Sequence, residues 1–92
     1  MALTTETILE RVGGVPPGYV TTYGDLSPGA PRQAGRVLAQ TVAAVPWWRV
    51  VRADGTLPKG AKQHALLLEE GVPVRAGRVV MADARVPPEA IF

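Results

Sequence analysis

The chain has no cysteine, a single histidine (His64) and a single serine (Ser27). Without thiols it can form neither a disulfide nor a thiolate-ligated metal centre, and the redox compartment is left unmarked. Its carboxylates stand singly or as the pair Glu69-Glu70, so hydrolytic triads and metal sites are poorly stocked; no metal and no other cofactor is expected. No apolar run is long enough to span a bilayer, and the N-terminus lacks a basic-then-apolar signal pattern. The expectation is a cytoplasmic protein with no membrane association. Ninety-two residues predict one domain, 1–92, acting as a monomer, with one modest core and no room for a separate catalytic domain.

Charge is present but uneven. Residues 1–30 carry Arg11 against Glu6, Glu10 and Asp25, a net −2; residues 31–64 carry Arg32, Arg36, Arg49, Arg52, Lys59 and Lys62 against Asp54, a net +5; the remainder is −1. A cationic middle third fits a polyanionic partner. The plainer alternative is a solvated surface on a mildly basic protein.

Thr4 or Thr5 can cap a first helix whose apolar stripe is Ile8, Leu9 and Val12 and which Gly13-Gly14 ends. Pro16-Pro17-Gly18 reads as a turn and Tyr19-Val20-Thr21 as a short extended segment. Thr22, with Asp25 three residues on, predicts a short second helix that buries Leu26 and breaks at Ser27-Pro28-Gly29. Pro31 suits the first turn of a third helix running to about Thr41, where its missing N–H would have no partner anyway. Ala34, Val37, Leu38 and Thr41 would face the core. Two short helices about a Pro-Gly turn make a helix-turn-helix pattern. In the third helix, small residues (Ala30, Ala34, Gly35) interleave with Arg32, Gln33 and Arg36, a composition that lets a helix approach another surface closely. Further on, Ala53-Asp54-Gly55 reads as a turn and Leu57 to Gly60 as a loop. Lys62 to Glu70 predicts a helix with Ala65, Leu66, Leu67 and Leu68 on its buried side and Gly71 beyond its end. Val72 to Met81, turning about Arg75-Ala76-Gly77, predicts a small β-hairpin, and residues 76–92 the hairpin remainder and a loosely held tail with Pro87-Pro88.

Both tryptophans fall in Val45-Pro46-Trp47-Trp48-Arg49-Val50-Val51. Two large aromatics between a proline and a β-branched pair are, by themselves, ordinary core anchors. The stretch also resembles the Pro-Cys-His-Arg-Val-Val signature of O6-alkylguanine-DNA alkyltransferases, with Trp47 where that family keeps its reactive cysteine and Trp48 where it keeps histidine. Three further blocks match in the family's order: Pro17-Gly18-Tyr19-Val20-Thr21-Thr22-Tyr23-Gly24-Asp25-Leu26, Arg32-Gln33-Ala34-Gly35-Arg36-Val37-Leu38, and Leu67-Leu68-Glu69-Glu70-Gly71-Val72, with Asp54-Gly55 closing the tryptophan motif. Together they span roughly residues 5–75 and resemble the alkyltransferase-like proteins, which bind alkylated guanine without repairing it.

The resemblance implies a mainly α, winged helix-turn-helix-like DNA-binding domain with a small C-terminal hairpin, nucleoid-associated if bacterial. It implies docking in the minor groove, only about 6 Å wide, and extrusion of the target nucleotide, because an atom inside a duplex cannot be inspected from all sides. By resemblance Arg32 is the finger that fills the vacated stack and Tyr23 crowds the phosphate. Thr22, Gln33, Ala34, Gly35 and Arg36 complete the DNA-binding set. Trp47, Tyr23, Trp48, Lys59 and the backbone around Val50 are implied to line the lesion pocket, with Arg49 supporting the loop through hydrogen bonds. A thiolate accepts an alkyl group; an indole does not, so the resemblance implies recognition without reaction, and handover to nucleotide excision repair proteins. Departures from the family lie at Trp48, at Thr41 to Val45 where a hinge asparagine is lacking, at Pro31, and at Leu57 to Ala61, where Lys59 is the only cation. The alternatives are a minor-groove binder with a decayed pocket and a protein-interaction module that kept the fold.

Overall fold

The computed structural model describes residues 3–92. Two adjacent valines divide its interior. In β2 (Val50–Val51), paired parallel with β1 (Thr21–Thr22) in the register Thr21–Val50 and Thr22–Val51, successive side chains point to opposite faces. Val50 therefore enters a cluster with Ile8, Val12, Leu26 and Ala34, while Val51 enters one with Val20, Leu67, Val72, Val79 and Ala84.

The first cluster is built by three helices. In α1 (Thr5–Gly13), Thr4 Oγ1 accepts the Thr7 N–H at 3.1 Å, and Ile8 and Val12, one turn apart, are fully buried while Leu9 is half-buried. α2 (Tyr23–Leu26) is a single turn capped by Thr22, whose Oγ1 accepts the Asp25 N–H at 3.0 Å. The turn Ser27–Ala30 then leads into α3 (Pro31–Gln40), which begins on proline and buries Ala34, with Val37 and Leu38 packed at the cluster margin. Thr41 lies just past the helix end, half-buried. The helix-turn-helix is thus α2 and α3.

A 3-10 turn (Trp47–Arg49) carries the chain into β2. Beyond it, Gly55 (φ +85°) packs its backbone so tightly on residue 79 that an added Cβ would lie 2.5 Å from the Val79 carbonyl oxygen. α4 (Gly60–Glu69) follows. Four successive apolar residues cannot share one face of a helix with 3.6 residues per turn, and the expected burial of Ala65 to Leu68 resolves accordingly. Leu67 is buried, Leu66 half-buried, and Ala65 and Leu68 are exposed; the other buried residue is Gln63, one turn before Leu67. Gly71 (φ +79°) follows the helix. β3 (Val74–Arg75) and β4 (Arg78–Val79) form an antiparallel hairpin. Its two turn residues, Ala76 and Gly77, both have positive φ, the type I′ geometry that matches strand twist.

The C-terminal segment is not a loose tail. After α5 (Met81–Ala84), the chain straddles Val20: Val20 N–H donates to Ala84 O and Val86 N–H to Val20 O, both at 2.9 Å. Val86 is buried, and after α6 (Pro88–Ile91) Phe92 packs on the first cluster with the Arg11 guanidinium 4.9 Å from its ring centroid. A backbone bridge to Val20 and an aromatic anchor outweigh the local turn composition.

Candidate functional site

A cavity of about 440 Å³ opens between α3, the 3-10 turn and the start of α4, lined by Tyr23, Leu38, Ala39, Trp47, Lys59 and Lys62. The volume is in the range of small-molecule and cofactor sites. Three of the residues singled out by sequence, Tyr23, Trp47 and Lys59, meet here. Trp47 is half-buried and stands as a partition, because it also lines a wider groove bounded by Gly13, the 43–46 loop, Trp48 and Arg49.

The two tryptophans have separate surroundings. Their rings meet edge to face, 5.9 Å apart at 87°, but Trp48 packs against the second cluster around Val51 and Leu67 and lies under the Arg49 guanidinium at 5.4 Å. Trp48 is therefore an anchor whose neighbour projects outward. Arg49 locks this turn in place: its Nε and Nη2 donate to the two carboxylate oxygens of Glu70, and its Nη1 donates to the Val15 carbonyl at 2.9 Å. These bonds hold the Glu70 carboxyl below its ordinary pKa. The Trp48 indole N–H adds to that lowering, although it is buried without a hydrogen-bond partner of its own.

Fully buried Gln63 joins the two walls of the cavity. Its Nε2 donates to Trp48 O at 3.1 Å and to Val50 O at 2.8 Å, while its Oε1 accepts the Lys59 N–H at 3.1 Å. Val50 consequently stands behind the wall. Its side chain is in the core, its N–H donates to Trp47 O, and its carbonyl is taken by Gln63, so its main chain is engaged within the protein rather than free toward a ligand. Gln63 and Lys62 were missed by sequence reasoning. Gln63 stands between Lys62 and His64 in the polar first half of α4, so no local signal marked it as buried.

Tyr23 joins the cavity to the helix-turn-helix. Burial raises its phenol pKa and the Arg52 charge partly offsets this, so the hydroxyl stays a neutral hydrogen-bond donor through physiological pH. An added Cβ at Gly35 would lie 4.0 Å from Tyr23 Cδ1, and Ala34 is fully buried. These small residues seat α3 against its own protein, which corrects the reading of Ala34 as a DNA-facing residue. Gln33 is similarly occupied: its Oε1 accepts from Ser27 Oγ and its Nε2 donates to the Leu3 carbonyl. Thr22, 4% exposed, is engaged as the α2 cap. The cations that α3 presents outward are Arg32 and Arg36, one turn apart and exposed. The two ion pairs among the described residues, Arg49–Glu70 and Arg85–Asp25, use neither. Arg32 lies six residues before Leu38, about 9 Å along the helix axis from the cavity wall.

The family model of the 6-O-methylguanine DNA methyltransferase DNA-binding domain matches residues 4–72. The DNA base-flipping proteins of Escherichia coli (strain K12) and Shigella flexneri are each 42% identical over 78 residues, a match covering 73% of this chain and 60% of theirs. The chain thus spans about 60% of the length of these curated relatives. Two crystal structures from S. pombe share the fold at 26% identity and cover 90% of this chain and 94% of theirs. They are Atl1 in complex with damaged DNA containing O6-carboxymethylguanine (TM-score 0.74) and ATL in complex with DNA (TM-score 0.73). With three quarters of its residues inside the family match and the helix-turn-helix and tryptophan cavity in place, the chain belongs to the 6-O-methylguanine DNA methyltransferase DNA-binding-domain family.

Proposed function

We propose that this protein is a non-enzymatic sensor of O6-alkylguanine in duplex DNA. It docks α3 in the minor groove, rotates the damaged nucleotide into the cavity beside Trp47, and marks the site for nucleotide excision repair, acting as a monomer in the DNA-containing compartment. The observation that carries the reading is the half-buried Trp47 on the wall of a cavity next to the helix-turn-helix, in a chain of a methyltransferase family whose 92 residues include no cysteine. An indole offers a flat polarizable face for a base or its alkyl group and no thiolate to accept that group. In this reading exposed Arg32 and Arg36 supply the cations for the duplex, and Arg32 is the side chain that enters the stack. Relatives named as a base-flipping protein and as a damaged-DNA complex support this reading.

The test is a titration of O6-methylguanine duplex and unmodified duplex at two salt concentrations, with intact-mass measurement of the protein afterwards. Preferential binding of the lesion with no gain in mass is expected. Equal affinity for both duplexes would instead mark a minor-groove binder with a decayed pocket. Weak binding without a steep salt dependence would mark a protein-interaction module, and a stable gain of one methyl would overturn the non-enzymatic assignment.

A further inference from the structure

The cavity has a charge that the recognition of a methylated base does not need. Of its six lining residues, Lys59 and Lys62 are cationic and none is acidic. Both lysines are exposed, and neither belongs to the two ion pairs among the described residues. The cations are also placed rather than incidental. Lys59 is the residue that precedes α4 and Lys62 lies in its first turn, so both ammonium groups extend from the end of a ten-residue helix where the backbone partial charge is positive. The Lys59 main chain is tied through buried Gln63 to Trp48 and Val50, which fixes the root of the Lys59 side chain relative to the tryptophan turn. The opposite side is apolar, from Leu38 and Ala39.

Resting on the lesion-binding reading above, we propose that the cavity selects by charge: O6 substituents that end in an anion, a carboxylate above all, bind more tightly than neutral substituents of the same size, and Lys59 and Lys62 are the residues that set the preference. A base stacked on Trp47 directs its O6 substituent into the space these lysines border, where a carboxylate gains ammonium contacts that a neutral isostere lacks. The phosphates of the duplex are the other anions within reach. They have Arg32, Arg36 and Arg52, exposed and outside the cavity lining, whereas the two lysines share a concave site with an indole and a phenol.

The experiment compares duplexes carrying O6-carboxymethylguanine, its carboxamide isostere O6-carbamoylmethylguanine, O6-methylguanine and unmodified guanine, titrated against the wild-type chain, the double variant Lys59→Met/Lys62→Met and the charge reversal Lys62→Glu. Thermal melting checks that each variant is folded, as substitution at exposed positions predicts. The carboxylate is expected to bind the wild type about fivefold more tightly than the carboxamide, the upper end of what a solvent-accessible ion pair gives. The ratio is expected to fall to about one both in the double variant and in Lys62→Glu, each of which brings the net charge of the cavity rim from two positive charges to zero, whatever happens to absolute affinity. A carboxylate-to-carboxamide ratio of one in the wild type, with methylated duplex still preferred to unmodified, overturns the charge selection and leaves the lesion reading standing. An unchanged ratio in folded variants, with all duplexes weakened alike, assigns the lysines to phosphate and likewise overturns it. If no modified duplex is preferred to the unmodified one, the lesion reading fails and this inference fails with it.

Discussion

Replacing Trp47 by alanine separates a ligand-binding role from a structural one, because the structure allots this side chain little of the core. Trp47 is absent from the residues packed on either buried cluster, and its aromatic contact is the edge-to-face pair with Trp48. Such a pair contributes about 0.5–1.5 kcal/mol. With partial burial added, Trp47→Ala should cost roughly 1–2 kcal/mol, against about 5–15 kcal/mol for a typical domain, and lower the melting temperature by about 5–15 °C. The variant stays folded. Its loss on alkylated duplex should be larger in kind: stacking of a base on an aromatic side chain is worth about 1–3 kcal/mol, so lesion affinity should drop roughly 5- to 150-fold while affinity for intact duplex changes little. Trp48→Ala is the control. Packed on the Val51–Leu67 cluster and covered by Arg49, it should cost about 3–5 kcal/mol. Melting curves and paired titrations on the same preparations decide the matter. A Trp47→Ala protein that unfolds like Trp48→Ala, or one that stays folded with its lesion preference intact, would refute the assignment.

Three further outcomes are expected. Arg32→Ala should weaken lesion binding by about 1–3 kcal/mol, the scale of a base-level contact, with little effect on intact duplex; equal losses on both would place Arg32 on a phosphate. Gly55→Ala should destabilise the fold by about 1–3 kcal/mol in denaturant melts, since the new Cβ meets the Val79 carbonyl at 2.5 Å at a positive φ, and an unchanged melt would contradict the close approach. For Glu70, whose folded pKa is depressed from 4.5 chiefly by its hydrogen bonds from Arg49, the stabilisation is complete above the unfolded value and is lost as pH falls through the folded one. The melting-temperature advantage of wild type over Glu70→Gln should therefore hold at neutral pH and shrink below about pH 4.5, and a difference independent of pH would show that the ion pair contributes nothing through Glu70 ionisation.

Sequence by itself determined the local features and the identity of the key side chain. Thr22 capping the Asp25 N–H, proline at the start of α3, Gly71 beyond α4 and the Ala76-Gly77 turn are decided by sterics and hydrogen bonding within three or four residues, and such signals can be read without knowing the partner. Trp47 in place of a cysteine is likewise a fact of covalent chemistry that no fold can alter. Tertiary structure decided the pairings. Strands of two residues carry no periodicity, so the parallel register of Thr21 with Val50 and the clasp of residues 84–86 on Val20 depend on chain segments distant in sequence. Which apolar residues of α4 are buried, and the choice of Gln63 to face inward, follow from the two backbone carbonyls it must satisfy across the cavity wall. The same long-range packing turned Ala34 and Val50 into the core and brought Lys62 beside Trp47, because a helix face has no outside until the rest of the chain defines one.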